Sequence, residues 1–240
     1  MIMHPAGALD ETLFQPFDGF PREGMDFLKK LKKNNNRPWF QKHKSVYDEN
    51  VRFPMQCLIA SLSERMGDVG PEIEFNPRKS IFRIYRDVRF SKNKAPYKTS
   101  IAASFRMREK GTSPVENPGL YLGIAPGEVY IGGGLYMPTG DQIKAIRKAI
   151  TERPDEFLAV ASGRKFKKEF GEIQGEKLAK APLGYPKDHP MIEHLKHKQF
   201  YIGKDYDDES MCLKPGFLDL VVRVLTDTMP FVRWLARAAG

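Results

Sequence analysis

The sequence predicts a single α+β domain: an antiparallel meander sheet of about four to five strands, packed by N- and C-terminal helices. Three observations predict it. Apolar residues recur at helical spacing before residue 67 and again after residue 140. Between residues 79 and 136 the spacing changes to alternation, and turn residues separate the runs. The 240 residues show no repeat, no low-complexity tract and no linker between self-sufficient halves, and they suffice for one substantial core.

Residues 1–21 read as an N-terminal leader that packs late or frays, and residues 22–240 as the domain. Residues 24–33 place Phe27, Leu28 and Leu31 on one helical face. Asn34, Asn35 and Asn36 interrupt this helix and supply a cap for the next, with Pro38 in its first turn. A helical pattern then runs over 37–66, where Pro54 must kink or divide it. Residues 79–90 read as the first strand, with Phe82, Ile84, Val88 and Phe90 on one face and Arg83, Tyr85, Asp87 and Arg89 on the other. Arg86 falls on the apolar face, where it needs a partner or a bulge. Loops are expected at 91–98 and 108–118. Ile101, Ala103, Phe105 and Met107 give a second strand, and 120–124 with 129–136 form a hairpin around Pro126-Gly127. Helices follow at 141–150, 154–161 and 165–170. Residues 171–190 are read as a surface excursion, 199–203 as a further strand, and 215–238 as a long helix bent at Pro230.

Charge narrows the function. Lys and Arg number 39 against 30 Asp and Glu, a net charge of +9. Residues 78–98 hold eight bases and one acid, Asp87, so this window carries a surplus of seven. Basicity gathered in one place points to an anionic partner or to an internal salt-bridge web. No stretch approaches the roughly 18 apolar residues of a membrane span, so no membrane partner is expected. Two lone cysteines, Cys57 and Cys212, and the absence of a secretory pattern at the N-terminus predict a cytoplasmic protein.

The chemistry-bearing run extends from Arg83 through Arg86, Asp87, Arg89, Lys92, Lys94, Pro96 and Tyr97 to Lys98. Guanidinium groups grip phosphate or carboxylate through paired donors, and lysines add point charges. Arg37 stands at a helix start, where free amides attract anions. His43 lies one turn beyond Trp39, and imidazole titrates near neutrality, so His43 is a candidate general base beside Asp87. The Gly132-Gly133-Gly134 run lacks the Walker spacing and reads as a bend, or as a place where a backbone or ligand approaches the sheet. Ser91-x-x-Lys94 lacks the companion motifs of an acyl transferase. His194 and His197 lie near Asp205, Asp207, Asp208 and Glu209, but the spacing fixes no third ligand, so no metal and no cofactor is expected.

The segment Asn34-Asn35-Asn36-Arg37-x-Trp39-Phe40 with His43, Lys44 and Tyr47, followed by the run from Phe82 to Lys98, resembles the bacterial family catalogued as domain of unknown function 2461. The Gly119-Leu120-Tyr121-Leu122 stretch and the triple glycine are similar too. The resemblance covers residues 14–238. It implies a single-domain, cytoplasmic protein and brings no reaction, cofactor or catalytic residue.

Three readings follow. The first is a protein that binds a phosphate-containing ligand or nucleic acid through Arg37, Arg83, Arg86, Arg89, Lys92, Lys94 and Lys98. The second is an enzyme for a small anionic substrate, with an arginine clamp and His43 or Asp87 as acid or base. The third is a structural or adaptor protein whose arginines are buried against acids such as Asp48, Glu49 or Glu64. The sequence leaves the ligand and the oligomeric state open.

Overall fold

The computed structural model describes residues 14–107 and 116–240. Four strands, β1 (Ile101–Arg106), β2 (Gly119–Ala125), β3 (Glu128–Leu135) and β4 (Phe200–Tyr206), form one antiparallel sheet in sequence order. The long helix α9 (Phe217–Ala238) lies along one face. Its Val221, Val224, Leu225, Met229 and Val232 are buried with Ile101, Ala103, Phe105, Leu120, Leu122, Ile124, Val129 and Ile131 of the sheet. Alternation explains this face, because residues two apart on a strand point the same way.

The N-terminal helices α1 (Arg22–Lys33), α2 (Arg37–Lys42), α3 (Lys44–Tyr47) and α4 (Phe53–Met66) add to the same core. The expected long helix over 37–66 breaks at His43 and then runs without a further break from Lys44 to Met66. Within that run the turn at Asp48–Arg52, just ahead of Pro54, widens to π spacing, which accommodates the proline's ring and missing N–H. Of the expected leader, residues 1–13 lie outside the described residues, while Phe17 and Phe20 are core side chains.

The C-terminal region builds a second apolar cluster. The helices α5 (Gly140–Glu152), α6 (Pro154–Ala161), α7 (Arg164–Phe170) and α8 (Ile192–Leu195) pack with the second half of α9 against Leu135, Phe200 and Ile202. Thr139 and Gln142 cap α5 reciprocally. Residues 171–190 do not merely wander, since Ile173 and Pro182 are buried and Gln174 bridges to Tyr201. The last strand extends to Tyr206, beyond the expected 199–203.

The strand expected over 79–90 is the main correction. Only two isolated bridges form there, Ile81 to Ala103 at the edge of β1 and Tyr85 to Tyr97. Ile84 is buried, Val88 is half-buried, and Phe90 is 94% exposed, so the predicted apolar face is not a face. Among the described residues Arg86 pairs with no acid; its Nη1 donates to the carbonyl of Ala95 at 3.1 Å. The segment is instead an irregular hairpin whose two limbs pair with each other and whose base lies along β1.

Candidate functional site: a tyrosine cleft beside a basic hairpin

The second face of the sheet has a different composition. The strand register sets Tyr121 opposite Gly132, Tyr130 opposite Gly123, and Tyr201 opposite Gly134. Each tyrosine therefore meets a glycine on the adjoining strand, which leaves room for its ring to lie along the sheet. Gly203 shows the fit, because an added Cβ would stand 2.4 Å from the Tyr130 ring. Gly134 takes a φ of 141°, and a Cβ there would approach the carbonyl of Phe200 to 2.2 Å. The triple glycine is thus required by close approach of chain and ring, one of the alternatives its sequence offers.

These rings line a cleft of about 420 Å³, within the range of roughly 300–1,000 Å³ typical of small-molecule sites. Tyr121 meets Tyr130 at 5.9 Å between centroids, Tyr136 meets Tyr201 at 5.6 Å, and Phe82 meets Tyr121 at 6.2 Å. Tyr130 is locked in place: its hydroxyl donates to Gln174 Oε1 at 2.9 Å, and Gln174 Nε2 donates to the carbonyl of Gly203 at 3.2 Å. Burial raises the pKa of the Tyr121, Tyr130 and Tyr201 phenols, so these three rings stay neutral at physiological pH. A smaller polar pocket of about 170 Å³ adjoins the cleft across Phe82 and Ser104; Glu74, Lys79 and Arg106 are among its lining residues.

The basic hairpin stands at the cleft's edge. Its limbs are joined by Arg86 N–H to Pro96 O at 2.9 Å and Lys98 N–H to Ile84 O at 2.7 Å. Asn35 fastens it to the start of α2 by both donating to the carbonyl of Tyr97 at 2.9 Å and accepting from its N–H at 3.0 Å. The Tyr97 ring stacks on Phe40 at 4.1 Å. This attachment brings Lys98 to the cleft wall, where its Nζ lies 5.1 Å from the centre of the Phe82 ring. Burial, and then the neighbouring Arg83, lowers the pKa of this ammonium. Among the described residues no carboxylate pairs with Lys98.

The predicted site residues diverge here. Lys98 lines the cleft with Phe82, and the exposed Arg83 is near enough to Lys98 to act on its charge. Arg86 is tied to the backbone within the hairpin. Arg89 grips Asp87 with two bonds, Nη2 to Oδ2 at 2.7 Å and Nε to Oδ1 at 3.1 Å, both residues well exposed. That grip holds the Asp87 carboxyl down to about 2, too acidic to serve as a base near neutrality. Lys94 Nζ donates to the carbonyl of Val88 at 3.0 Å, and Lys92 is exposed at the tip. Arg37 is exposed in the first turn of α2. His43 caps the end of α2, stacks on Trp39 at 4.1 Å and donates from Nδ1 to the Trp39 carbonyl at 2.8 Å. Arg86 and Arg89 are thus engaged within the hairpin, and none of the three arginines is buried against Asp48, Glu49 or Glu64.

Motif reading does not find the tyrosines of the cleft. Their signal is nevertheless present: Tyr121, Tyr130 and Tyr136 alternate out of phase with the buried Leu122, Ile131 and Leu135.

Fold and site together define an α+β domain with one helix-covered sheet face and one open aromatic face, edged by a cationic hairpin. The chain belongs to the family described as conserved hypothetical protein (DUF2461), whose pattern matches residues 23–234. No curated protein and no solved structure matches it. No helix among the described residues is long and apolar enough to cross a membrane.

Proposed function

We propose that this protein binds a phosphate-containing ligand, its ring in the tyrosine cleft and its phosphate against Lys98 and Arg83. One observation carries the reading. Lys98 is half-buried beside an aromatic ring and a second cation, with no carboxylate partner among the described residues. An ammonium in that setting is deficient in negative charge, and a bound phosphate supplies it. Neutral phenols and ring faces suit the rest of such a ligand, a sugar or a heterocycle. We place this binding activity in the cytoplasm, a reading supported by two free, buried cysteines.

Isothermal titration with a nucleoside monophosphate and its parent nucleoside tests the reading. The monophosphate is expected to bind, and Lys98→Ala to weaken it about tenfold, the scale of a charge-assisted contact. Equal affinity for nucleoside and monophosphate would show that the cations do not contribute.

A further inference from the structure

We propose that the partner is single-stranded nucleic acid, with one base in the tyrosine cleft and a neighbouring base on the aromatic side chains of the hairpin; the inference rests on the phosphate-and-ring reading above. The cleft alone would satisfy a single nucleotide. It does not account for the hairpin beyond it. Phe90 is 94% exposed at the tip and Tyr85 is 50% exposed on one limb. In the cleft, Tyr121 and Tyr136 are 36% and 53% exposed. Apart from Phe53, every aromatic among the large exposed apolar side chains of the described residues stands in one of these two places.

Cations lie between and beside them. Arg83 and Lys98 sit toward the cleft, the Arg89 guanidinium lies 5.8 Å from the centre of the Phe90 ring, and the exposed Lys92 and Lys94 follow Phe90 closely in the hairpin. The acid of the hairpin, Asp87, is already neutralised by Arg89. Ring faces interleaved with Arg83, Lys92, Lys94 and Lys98, which pair with no carboxylate among the described residues, match a strand of unpaired bases on a phosphate backbone. A duplex offers phosphates but keeps its bases stacked on one another, so it cannot fill the cleft.

Fluorescence polarisation of the full chain with labelled oligo(dT) and oligo(rU), from about 2 to about 12 nucleotides, tests this. Affinity is expected to rise about tenfold or more along the series and to exceed that for a duplex of equal length. It should fall with salt at a logarithmic slope of about 0.7 per phosphate contacted. Phe90→Ala, an exposed change that leaves the core untouched, is expected to weaken the longest strand about fivefold or more while sparing the mononucleotide; Lys98→Ala weakens both. A mononucleotide that binds as tightly as the longest strand overturns the inference and leaves the small-ligand reading standing. No binding by either overturns both. Phe90-dependent binding to phosphatidylserine vesicles, with none to oligonucleotides, assigns the hairpin to a lipid surface and overturns the inference too.

Discussion

The two faces of the sheet are built from alternate residues of the same four strands, yet they obey different requirements. Toward α9, Phe105, Leu122, Ile131 and Ile202 are fully buried and fill space with branched and aromatic bulk. On the reverse face, one residue along in each strand, stand Ser104, Tyr121, Gly132 and Gly203. Packing dictates the first set. It does not dictate the second, where large rings sit on glycines and remain open to solvent. The contrast supports the proposed placement of the ligand: aromatic surface that the core does not use lies beside Lys98, which pairs with no carboxylate among the described residues.

The largest effect should come from the covered face. Phe105→Ala leaves a cavity among fully buried neighbours, with an expected loss of about 3–5 kcal/mol in denaturant unfolding. Tyr121→Ala, directly across the pleat, should cost well under half as much. Equal losses would mean that the second face is packed as well, and the comparison would break.

The next effect belongs to pH and to the covered side. His197 is 1% exposed; burial first, then Lys177 and His194, lowers its pKa to about 4, with Glu193 opposing. The folded protein thus keeps His197 neutral while the unfolded chain takes up a proton below about 6.5. Stability is full above that value and falls as the pH drops toward 4, by at most about 3 kcal/mol. Urea unfolding at several pH values should show this acid limb, and His197→Gln should flatten it. A limb unchanged in the variant would assign the loss to His194 or to the carboxylates.

A smaller effect sharpens the contrast from the open side. Gly203→Ala forces a Cβ to 2.4 Å from the Tyr130 ring and 2.8 Å from the Ile131 carbonyl. The expected cost is about 1–3 kcal/mol, and displacement of Tyr130 should weaken ligand binding beyond what the stability loss explains. Binding that stays unchanged in a folded variant would remove Tyr130 from the site. The smallest effect is expected at the tip, where replacing Lys92 and Lys94 with Ala should change stability by less than about 0.5 kcal/mol. The same double change should lower the salt slope of oligonucleotide binding.

Legibility follows the kind of force at work. The meander and the disturbance of the helix ahead of Pro54 are readable because burial imposes periodicity and proline removes a donor. The run over 79–90 misleads for a physical reason. It alternates as a strand should, but eight bases between residues 78 and 98 resist burial, and only Ile84 and Tyr97 reach the core. The chain therefore pairs locally and leaves Phe90 in solvent. Arg86, expected to need a partner or a bulge, finds its partner in the backbone carbonyl of Ala95. Lys98 and Arg83 can be named from charge density, whereas the tyrosine floor depends on the register across three strands. The spacing of Tyr121, Tyr130 and Tyr201 in the sequence does not reveal that register.

If the ligand lies on the open face beside Lys98, a backbone amide NMR titration with a nucleoside monophosphate will show it. The expected shifts fall on Phe82, Lys98, Tyr121, Tyr130, Gly133 and Gly134, with α5 to α7 unmoved. Shifts confined to those helices, or to the surroundings of His43, would contradict it.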